Sequence, residues 1–229
     1  MLEKFSMRYP APPTKQGYVK INQGFAENEE NYYAQLGLMG HNGLDLNTTA
    51  RWHKGEAPIY AAHDGYVISD ATKDSDTAGR RVKLITDEVE IDGKPCKVMT
   101  LYFHLKSARV SVTDPLESPW FDYGTKQGKE RYVRAGTLIG TSDNTGRFTT
   151  GPHLHFGMYI LWKDANGGYS VNASNGYGGS NDPLPYFQDD MVFNWYQGWF
   201  TPARWFINGK EVDRKTASIK AQTIARNII

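Results

Sequence analysis

The sequence predicts an all-β, mostly antiparallel fold. Many short apolar stretches are separated by turn signals at regular spacing, and few stretches have a helical period. Hydrophobic residues make up 39% of the chain and charged residues 22%, which is typical of a globular protein. The length of 229 residues allows one large or two small domains.

Composition narrows the possible partners. The formal net charge of +1 gives no electrostatic reason to expect nucleic acid or an anionic membrane as a partner. No apolar stretch approaches the length of a membrane span, so we expect no membrane insertion. Cys96 is the only cysteine, which excludes an intrachain disulfide, and we interpret it as a small residue near a turn.

The first strands are predicted around a turn. Pro58–Ser69 is interpreted as two short strands joined at Asp64 and Gly65, a dipeptide typical of tight turns. His63, just before this turn, is interpreted as an ordinary surface histidine. His53 lies in a loop and is interpreted in the same way.

The next strands are predicted as an antiparallel pair. Arg80–Glu90 and Cys96–Leu105 are connected through Asp92-Gly93, which is a hairpin signal. Alternation in the second strand places Tyr102 and His104 together on its polar or cleft side. The opposite, apolar face is expected to hold Leu101, Phe103 and Leu105.

Gly151–Gly157 carries two histidines separated by one residue. On a strand, His153 and His155 would project side by side, and Pro152 would mark where the strand begins. The other face would turn into the core and continues as Leu154, Phe156, Met158, Ile160 and Trp162. Two imidazoles on one face of an anchored strand are a rigid place to hold a metal. Such a pair also occurs by chance or as surface decoration.

A zinc site needs more than two protein ligands, so further candidates are required. His41 and Asp45 offer an imidazole and a carboxylate four residues apart. Gly40 and Gly43 argue against a helix here and favour a loop that leads into a strand.

These motifs, taken in order, resemble the lysostaphin-type zinc endopeptidases of bacterial cell walls. The resemblance rests on His41-x-x-x-Asp45, on His104 in its strand, and on Thr150–Phe156, and it extends from about Gly40 to Asp182. Shorter similarities to the family occur at Ala57–Val67, Val133–Gly140, Asn144–Gly146 and Asp182–Pro185. One departure is that Arg147–Thr150 is one residue longer than the usual link.

The resemblance implies an architecture and a domain plan. The fold would be a small, twisted β-sandwich or barrel-like sheet with a groove floored by zinc. We expect a lead-in segment at 1–39 packing on the catalytic domain, a catalytic domain at 40–187, and an aromatic-rich C-terminal extension at 188–229.

The resemblance also implies roles for particular residues. Zinc would be held by His41, Asp45 and His155, and the catalytic residues beside it would be His104 and His153. Candidate substrate-binding residues are Asn42, Tyr102 and Tyr169. The substrate would be the peptide cross-links or stem peptides of bacterial peptidoglycan, cut by a monomer that binds no nucleic acid.

Two function classes remain open, an active zinc endopeptidase and a catalytically inactive relative that serves as a wall-binding or regulatory scaffold. The presence of all five site residues favours the enzyme. A third option is a related metallo-carboxypeptidase that trims stem peptides. The N-terminus lacks an apolar run typical of a signal peptide, so we expect a phage lysin, a virion-borne enzyme or a piece of a longer protein.

Three segments outside the motifs leave alternatives open. Ser107–Gly128 and Lys163–Asn181 could be opposite walls of a substrate groove or plain surface excursions. The aromatic residues after Tyr186 could form a sugar-binding surface, although covering the back of the β domain is the simpler interpretation. A terminal helix is predicted after Asp213 from the spacing of Ala217, Ala221, Ile224 and Ile228.

Overall fold

The computed structural model describes residues 2–27, 29–49, 55–70, 78–108, 131–188, 192–195, 204–207 and 210–227. Strands dominate these residues. The main path across the sheet runs in the order β15 (Lys210–Val212), β14 (Arg204–Ile207), β13 (Val192–Trp195), β1 (Tyr18–Gln23), β2 (Leu44–Asn47), β10 (His153–Lys163), β7 (Lys94–Ala108), β5 (Arg80–Ile85), β4 (Gly65–Asp70) and β8 (Arg131–Val133).

Further strands pair along this path, namely β3 (Pro58–Tyr60), β6 (Val89–Ile91), β9 (Leu138–Ser142), β11 (Tyr169–Ser170) and β12 (Ser180–Asn181). Neighbouring described strands are antiparallel except β1 and β13, which are parallel. The mainly β, mostly antiparallel fold is therefore confirmed. The path does not close on itself among these strands, so the sheet is open and not a closed barrel.

Helices are few in the described ranges. They are α1 (Arg214–Asn227) and two short 3-10 helices at Glu29–Leu36 and Leu184–Tyr186. None of these is both long enough and apolar enough to cross a bilayer. The predicted terminal helix is confirmed. Asp213 caps it, because its carboxylate accepts hydrogen bonds from the backbone amides of Lys215 and Thr216.

The two faces of β10 have different environments, as its alternation predicts. One face lies in the main core and carries the buried side chains of Leu154, Phe156, Met158 and Ile160. Each such side chain contributes about 1.5–3 kcal/mol when fully buried. The opposite face carries His153 and His155 at the N-terminal end of the strand. The core residues thus fix the direction in which both imidazoles point.

The main core reaches beyond the motif-bearing strands. The N-terminal segment contributes the buried side chains Phe5, Met7, Tyr9 and Ala11. Met7 donates its backbone N–H to the carbonyl of Tyr186, and Gln188 donates to the carbonyl of Met7. Strands β1 and β13 continue the same sheet on one side of β2. The domain boundaries at 39/40 and 187/188 stay a prediction.

The hairpin signal Asp92-Gly93 is confirmed. Ile91 pairs with Lys94 across a two-residue loop in which Asp92 has φ 50° and Gly93 has φ 75°. Positive φ at both loop positions matches the right-handed twist of the flanking strands. Cys96 follows on β7 and is fully buried in the main core, and burial raises the pKa of its thiol to about 11.

The predicted unit Pro58–Ser69 and the family-like stretch Val133–Gly140 pair differently. β3 pairs with β9, whereas β4 pairs with β5 and β8, so neither unit forms a local hairpin. The two turns instead bind each other. Gly136 donates to the carbonyl of Ala61, and Ala135 donates to the carboxylate of Asp64, each at 2.8 Å. Turn residues predicted where the chain reverses, but they do not specify which strand lies alongside.

His63 is not a surface histidine, because only 4% of its surface is exposed. Its Nδ1 lies 2.9 Å from the carbonyl oxygen of Asp64 and its Nε2 lies 3.1 Å from Oγ1 of Thr100. Burial lowers its pKa to about 4, so the ring is neutral near pH 7. His53 lies outside the described residues, as do residues 109–128 of the Ser107–Gly128 segment.

Candidate metal centre

Three polar side chains from distant parts of the sequence converge on one point. Nε2 of His41 lies 3.2 Å from Oδ1 of Asp45 and 3.1 Å from Nδ1 of His155. Nδ1 of His155 lies 3.0 Å from the same carboxylate oxygen. All three side chains are largely buried. The ligand atoms lie within 4.8 Å of one another, so this is a group that could hold a metal ion.

The sheet itself creates this convergence. Asp45 on β2 and His155 on β10 are direct partners in the antiparallel register. Directly opposed residues on one face have Cβ atoms about 4.5–5.5 Å apart. His41 lies in the loop just before β2 and reaches the same point. Alternation along β10 predicted the direction of His155, but its pairing with β2 depends on the whole sheet.

Neighbouring groups orient the two imidazoles. Nδ1 of His41 lies 3.0 Å from the carbonyl oxygen of Gly24, which places the proton on Nδ1 and leaves Nε2 free to act as a ligand. The ring of His155 stacks on Phe103 with a centroid distance of 5.3 Å and an angle of 17°. Gly43 packs beneath it, and a Cβ there would lie 2.9 Å from atoms of the His155 ring.

The charges within the cluster favour an ionised carboxylate. Burial opposes ionisation of Asp45, but the charges of His41 and His153 and the hydrogen bonds from His153 and His155 hold its pKa well below the usual range. Burial lowers the pKa of His155, although Asp45 partly opposes this effect. The cluster is therefore a carboxylate between imidazoles.

The residues fit a zinc ion. Two imidazole nitrogens and one carboxylate oxygen lie within 3.2 Å of one another, and the single proton that Nδ1 of His155 can carry bridges to only one of the other two atoms. A cation resolves this arrangement. Catalytic zinc sites use three such protein ligands and keep one position open, and their imidazoles are held by carbonyl groups as His41 is.

His153 lies beside the cluster. Its Nε2 lies 3.5 Å from Oδ1 of Asp45, and its Nδ1 lies 2.8 Å from the carbonyl oxygen of Gly151. Burial disfavours the protonated ring, but the Asp45 carboxylate and the hydrogen bond to Gly151 raise the pKa of His153 above its ordinary value. In the neutral ring, the Gly151 contact places the proton on Nδ1 and leaves Nε2 able to accept another.

His104 completes the group. Its ring centroid lies 4.8 Å from that of His153 and 6.1 Å from that of His155. Nδ1 lies 2.7 Å from the carbonyl oxygen of Thr145. Burial, with a smaller contribution from the charge of His153, lowers the pKa of His104 to about 4. Its Nε2 is thus an unprotonated acceptor at neutral pH.

The expected face for Tyr102 is wrong. Tyr102 is fully buried in the main core, and its hydroxyl accepts a hydrogen bond from the backbone of Ala62 at 2.9 Å. His104 has a φ of +63°, a left-handed conformation that interrupts the alternation of β7. As a result Phe103 and His104, although adjacent, both contact His155. The ring of Tyr102 therefore lies in the main core and not on the cleft side, and its contact with substrate stays a prediction.

Of the other two candidate substrate residues, the structure places only one near the centre. Asn42 lies between His41 and Gly43 and is half-buried. Tyr169 pairs with Lys163, which is eight residues from His155 along β10, a separation of about 26 Å at strand spacing. Its hydroxyl hydrogen-bonds to Glu88. Contact of Asn42 with substrate stays a prediction, whereas Tyr169 lies at the far end of the strand.

Several residues that shape the centre have no motif of their own. These are Gly24 and Phe103, which hold the imidazoles, and Tyr33, whose ring centroid lies 5.5 Å from that of His41. Tyr33 donates its hydroxyl to Oε1 of Gln23 at 2.7 Å. Carbonyl contacts do not depend on the side chain, so sequence patterns cannot reveal them.

No protein-family model and no curated protein matches the chain. Solved structures do. The catalytic domain of the antimicrobial peptidase lysostaphin from Staphylococcus simulans is 22% identical, with a TM-score of 0.42, over 81% of this chain and 93% of that one. A zinc containing peptidase from Vibrio cholerae is 24% identical, with a TM-score of 0.48, over 82% of this chain and 41% of that one.

Lysostaphin from Staphylococcus simulans is 20% identical, with a TM-score of 0.44, over 78% of this chain and 54% of that one. The chain thus spans about half the length of this protein and less than half of the Vibrio cholerae peptidase. Members of the family that the sequence motifs resemble are among the solved structures to which this chain is similar.

Proposed function

We propose that the protein is a zinc-dependent endopeptidase that hydrolyses peptide cross-links or stem peptides of bacterial peptidoglycan. The observation that carries the proposal is the convergence of His41, Asp45 and His155, with two further imidazoles against them. The order of the same residues in the sequence resembles lysostaphin-type enzymes. When bound, zinc would lower the pKa of a water molecule and polarise the scissile carbonyl group.

The imidazoles of His104 and His153 would move protons. Each has Nδ1 turned to a carbonyl oxygen, Thr145 for one ring and Gly151 for the other. In the neutral form each therefore presents an unprotonated Nε2, which can take a proton from the attacking water. The ring that gains this proton becomes an N–H donor, able to stabilise the developing oxyanion or to protonate the leaving amine.

The surrounding packing would keep both rings in position. Thr149 and Gly151 lie against His153, and Leu154 beside it is anchored in the main core. A proton acceptor has to lie within hydrogen-bond reach of the atom that gives up the proton. Rings fixed by a strand and by backbone carbonyl groups satisfy that need without a change of rotamer.

The test combines metal analysis with product analysis. Purified protein should contain one zinc ion per chain and should release peptide fragments with new amino termini from defined peptidoglycans, as identified by mass spectrometry. Chelation should stop release and added zinc should restore it. Intact peptidoglycan would favour the inactive scaffold, and loss of single terminal residues would favour a carboxypeptidase. The phage or virion source stays a prediction.

A further inference from the structure

A cavity of about 540 Å³ lies between α1 and the strands at the β14 side of the sheet. Its volume is in the range of sites for small molecules, about 300–1,000 Å³. Among its lining residues are Lys15, Tyr18, Asn194, Trp205, Arg214 and Gln222. None of them belongs to the candidate metal centre.

The floor of this cavity carries an unpaired hydrogen-bond donor. Asn194 is 3% exposed, and its Nδ2 has no hydrogen-bond partner among the residues that the structure describes. Buried amide groups are nearly always paired, because leaving one unpaired is unfavourable. An acceptor oxygen on a ligand in the cavity would satisfy this group.

Two aromatic rings form the apolar part of the cavity. Tyr18 and Trp205 meet edge to face, with centroids 5.5 Å apart and an angle of 80°. Both are only partly buried, so they offer ring surface to a ligand. Aromatic rings combine a large apolar surface with a polar tip, which suits a ligand with one apolar face and a polar rim.

The mouth of the cavity is positively charged. Lys15 and Arg214 are both exposed there, and the cavity lining contains no carboxylate among the described residues. The nearby carboxylate of Asp213 is turned to the backbone amides of Lys215 and Thr216. A guanidinium and an ammonium group in such a position favour a ligand that carries a carboxylate.

We propose that this cavity binds a carboxylate-bearing amino sugar, the chemical class of those muramic acid units of peptidoglycan that carry no stem peptide. Arg214 and Lys15 would bind the carboxylate, Asn194 would donate to a carbonyl or hydroxyl oxygen, and the rings would cover the apolar face of the sugar. The choice of this polymer rests on the proposed function, whereas the cavity and its chemistry do not.

The cavity lies on the same face of the sheet as the candidate metal centre, so a glycan strand would place an unsubstituted sugar in the cavity and a neighbouring peptide-bearing unit toward the metal centre. On β1 and β2, Val19 and Leu44 face the main core, so Tyr18 and Asp45 share the opposite face of the sheet. Asn194 pairs with Lys20, and Asp45 pairs with Gln23. This register separates Asn194 from Asp45 by two strand spacings, about 10 Å, and by about 10 Å along the strands.

The test measures sugar binding to the full chain by NMR titration with N-acetylmuramic acid. Saturable binding is expected, and N-acetylglucosamine, which lacks the carboxylate, should bind about tenfold more weakly. The double variant Lys15→Gln, Arg214→Gln should bind both sugars at that weaker level. Lys215→Gln, an exposed change on the same helix outside the cavity lining, is the matched control and should bind like wild type.

Three results would overturn the proposal: no binding of N-acetylmuramic acid, equal binding of the two sugars, or unchanged binding in the double variant. Displacement by inorganic phosphate as effective as by the sugar would also overturn it, because the cavity would then be a plain anion site. Asp45→Ala should bind the sugar normally. Sugar binding without peptidoglycan cleavage would leave this site in place and contradict only the proposed function.

Discussion

The side chains of the metal centre fall into two sets, separated by what their nitrogen and oxygen atoms face. His41, Asp45 and His155 turn their ligand atoms toward one another. His104 and His153 turn one nitrogen to a carbonyl group and leave the other beside the cluster. Because the first set is the group that could hold a metal ion and the second set keeps a nitrogen available beside it, we expect the two sets to fail differently when changed.

Removal of a ligand should abolish metal binding and activity together. His41→Ala, Asp45→Ala and His155→Ala each leave two protein ligands, too few for a stable zinc site. His153→Ala should instead retain zinc and lose turnover by about 10²–10⁴-fold, the usual contribution of general acid–base catalysis. Zinc stoichiometry and wall-lysis rate, measured on folded variants, decide this. A His153→Ala protein without zinc, beside a His155→Ala protein that keeps it, would mean that the two assignments are reversed.

Gly43 should control the metal site through packing alone. A methyl group at Gly43 would lie 2.9 Å from Cε1 and Nε2 of His155 and 2.7 Å from the carbonyl oxygen of Phe156. Gly43→Ala should therefore displace His155 and weaken zinc binding by about 10–100-fold, as loss of other supporting contacts does. The control is Gly151→Ala, where the added methyl meets no atom within 4 Å. Equal zinc affinity in both variants, measured by competition with a chelator, would show that the sheet tolerates the methyl group.

Among the strands and turns, the sequence predicted those elements whose pattern is local. The strand carrying His153 alternates without interruption, α1 repeats its alanines with a helical period, and Asp92-Gly93 specifies its own turn. The face of Tyr102 could not be predicted, because the left-handed φ of His104 leaves no trace in residue types. Pairings such as β3 with β9 depend on contacts between distant segments, and periodicity carries no information about them.

His63 lies in the turn before β4, which hydrogen-bonds to the turn after β8. Because this histidine is buried, the free energy of unfolding should depend on pH. The folded pKa of His63 is about 4, below the ordinary value of 6.5, so the unfolded chain binds its proton more readily. The contribution is fully present above pH 6.5 and is lost as the pH falls toward 4. This difference corresponds to about 3 kcal/mol of unfolding free energy.

Urea unfolding at a series of pH values, compared between wild type and His63→Gln, isolates this contribution. The uncharged glutamine cannot titrate, so the gap between the two proteins should shrink from neutral pH to pH 4. Other histidines titrate in both proteins and cancel in the difference. A gap that stays constant with pH would show that His63 is protonated without cost in the folded state.

At the scale of the whole molecule, the loop that follows β10 lies next to the loop that carries His41. The segment after β10 returns toward the loop that carries His41, because Met39 donates its backbone N–H to the carbonyl of Gly176 at 2.8 Å. The rings of Phe25 and Tyr177 lie against each other, with centroids 4.7 Å apart. This part of Lys163–Asn181 is therefore adjacent to the candidate metal centre, as expected for one wall of a substrate groove.

Tyr177→Ala should change which peptides are cut without changing zinc content. The variant removes a ring beside Phe25, but the hydrogen bonds that hold His41, to Gly24 and Glu27, do not involve that ring. The ratio of kcat/KM for a Gly–Gly bridge peptide and a stem peptide measures the preference. Tyr169→Ala, at the far end of β10, is the control and should keep the wild-type ratio. If the two variants keep the same ratio as wild type, this loop is a surface excursion and the groove is bounded by other residues.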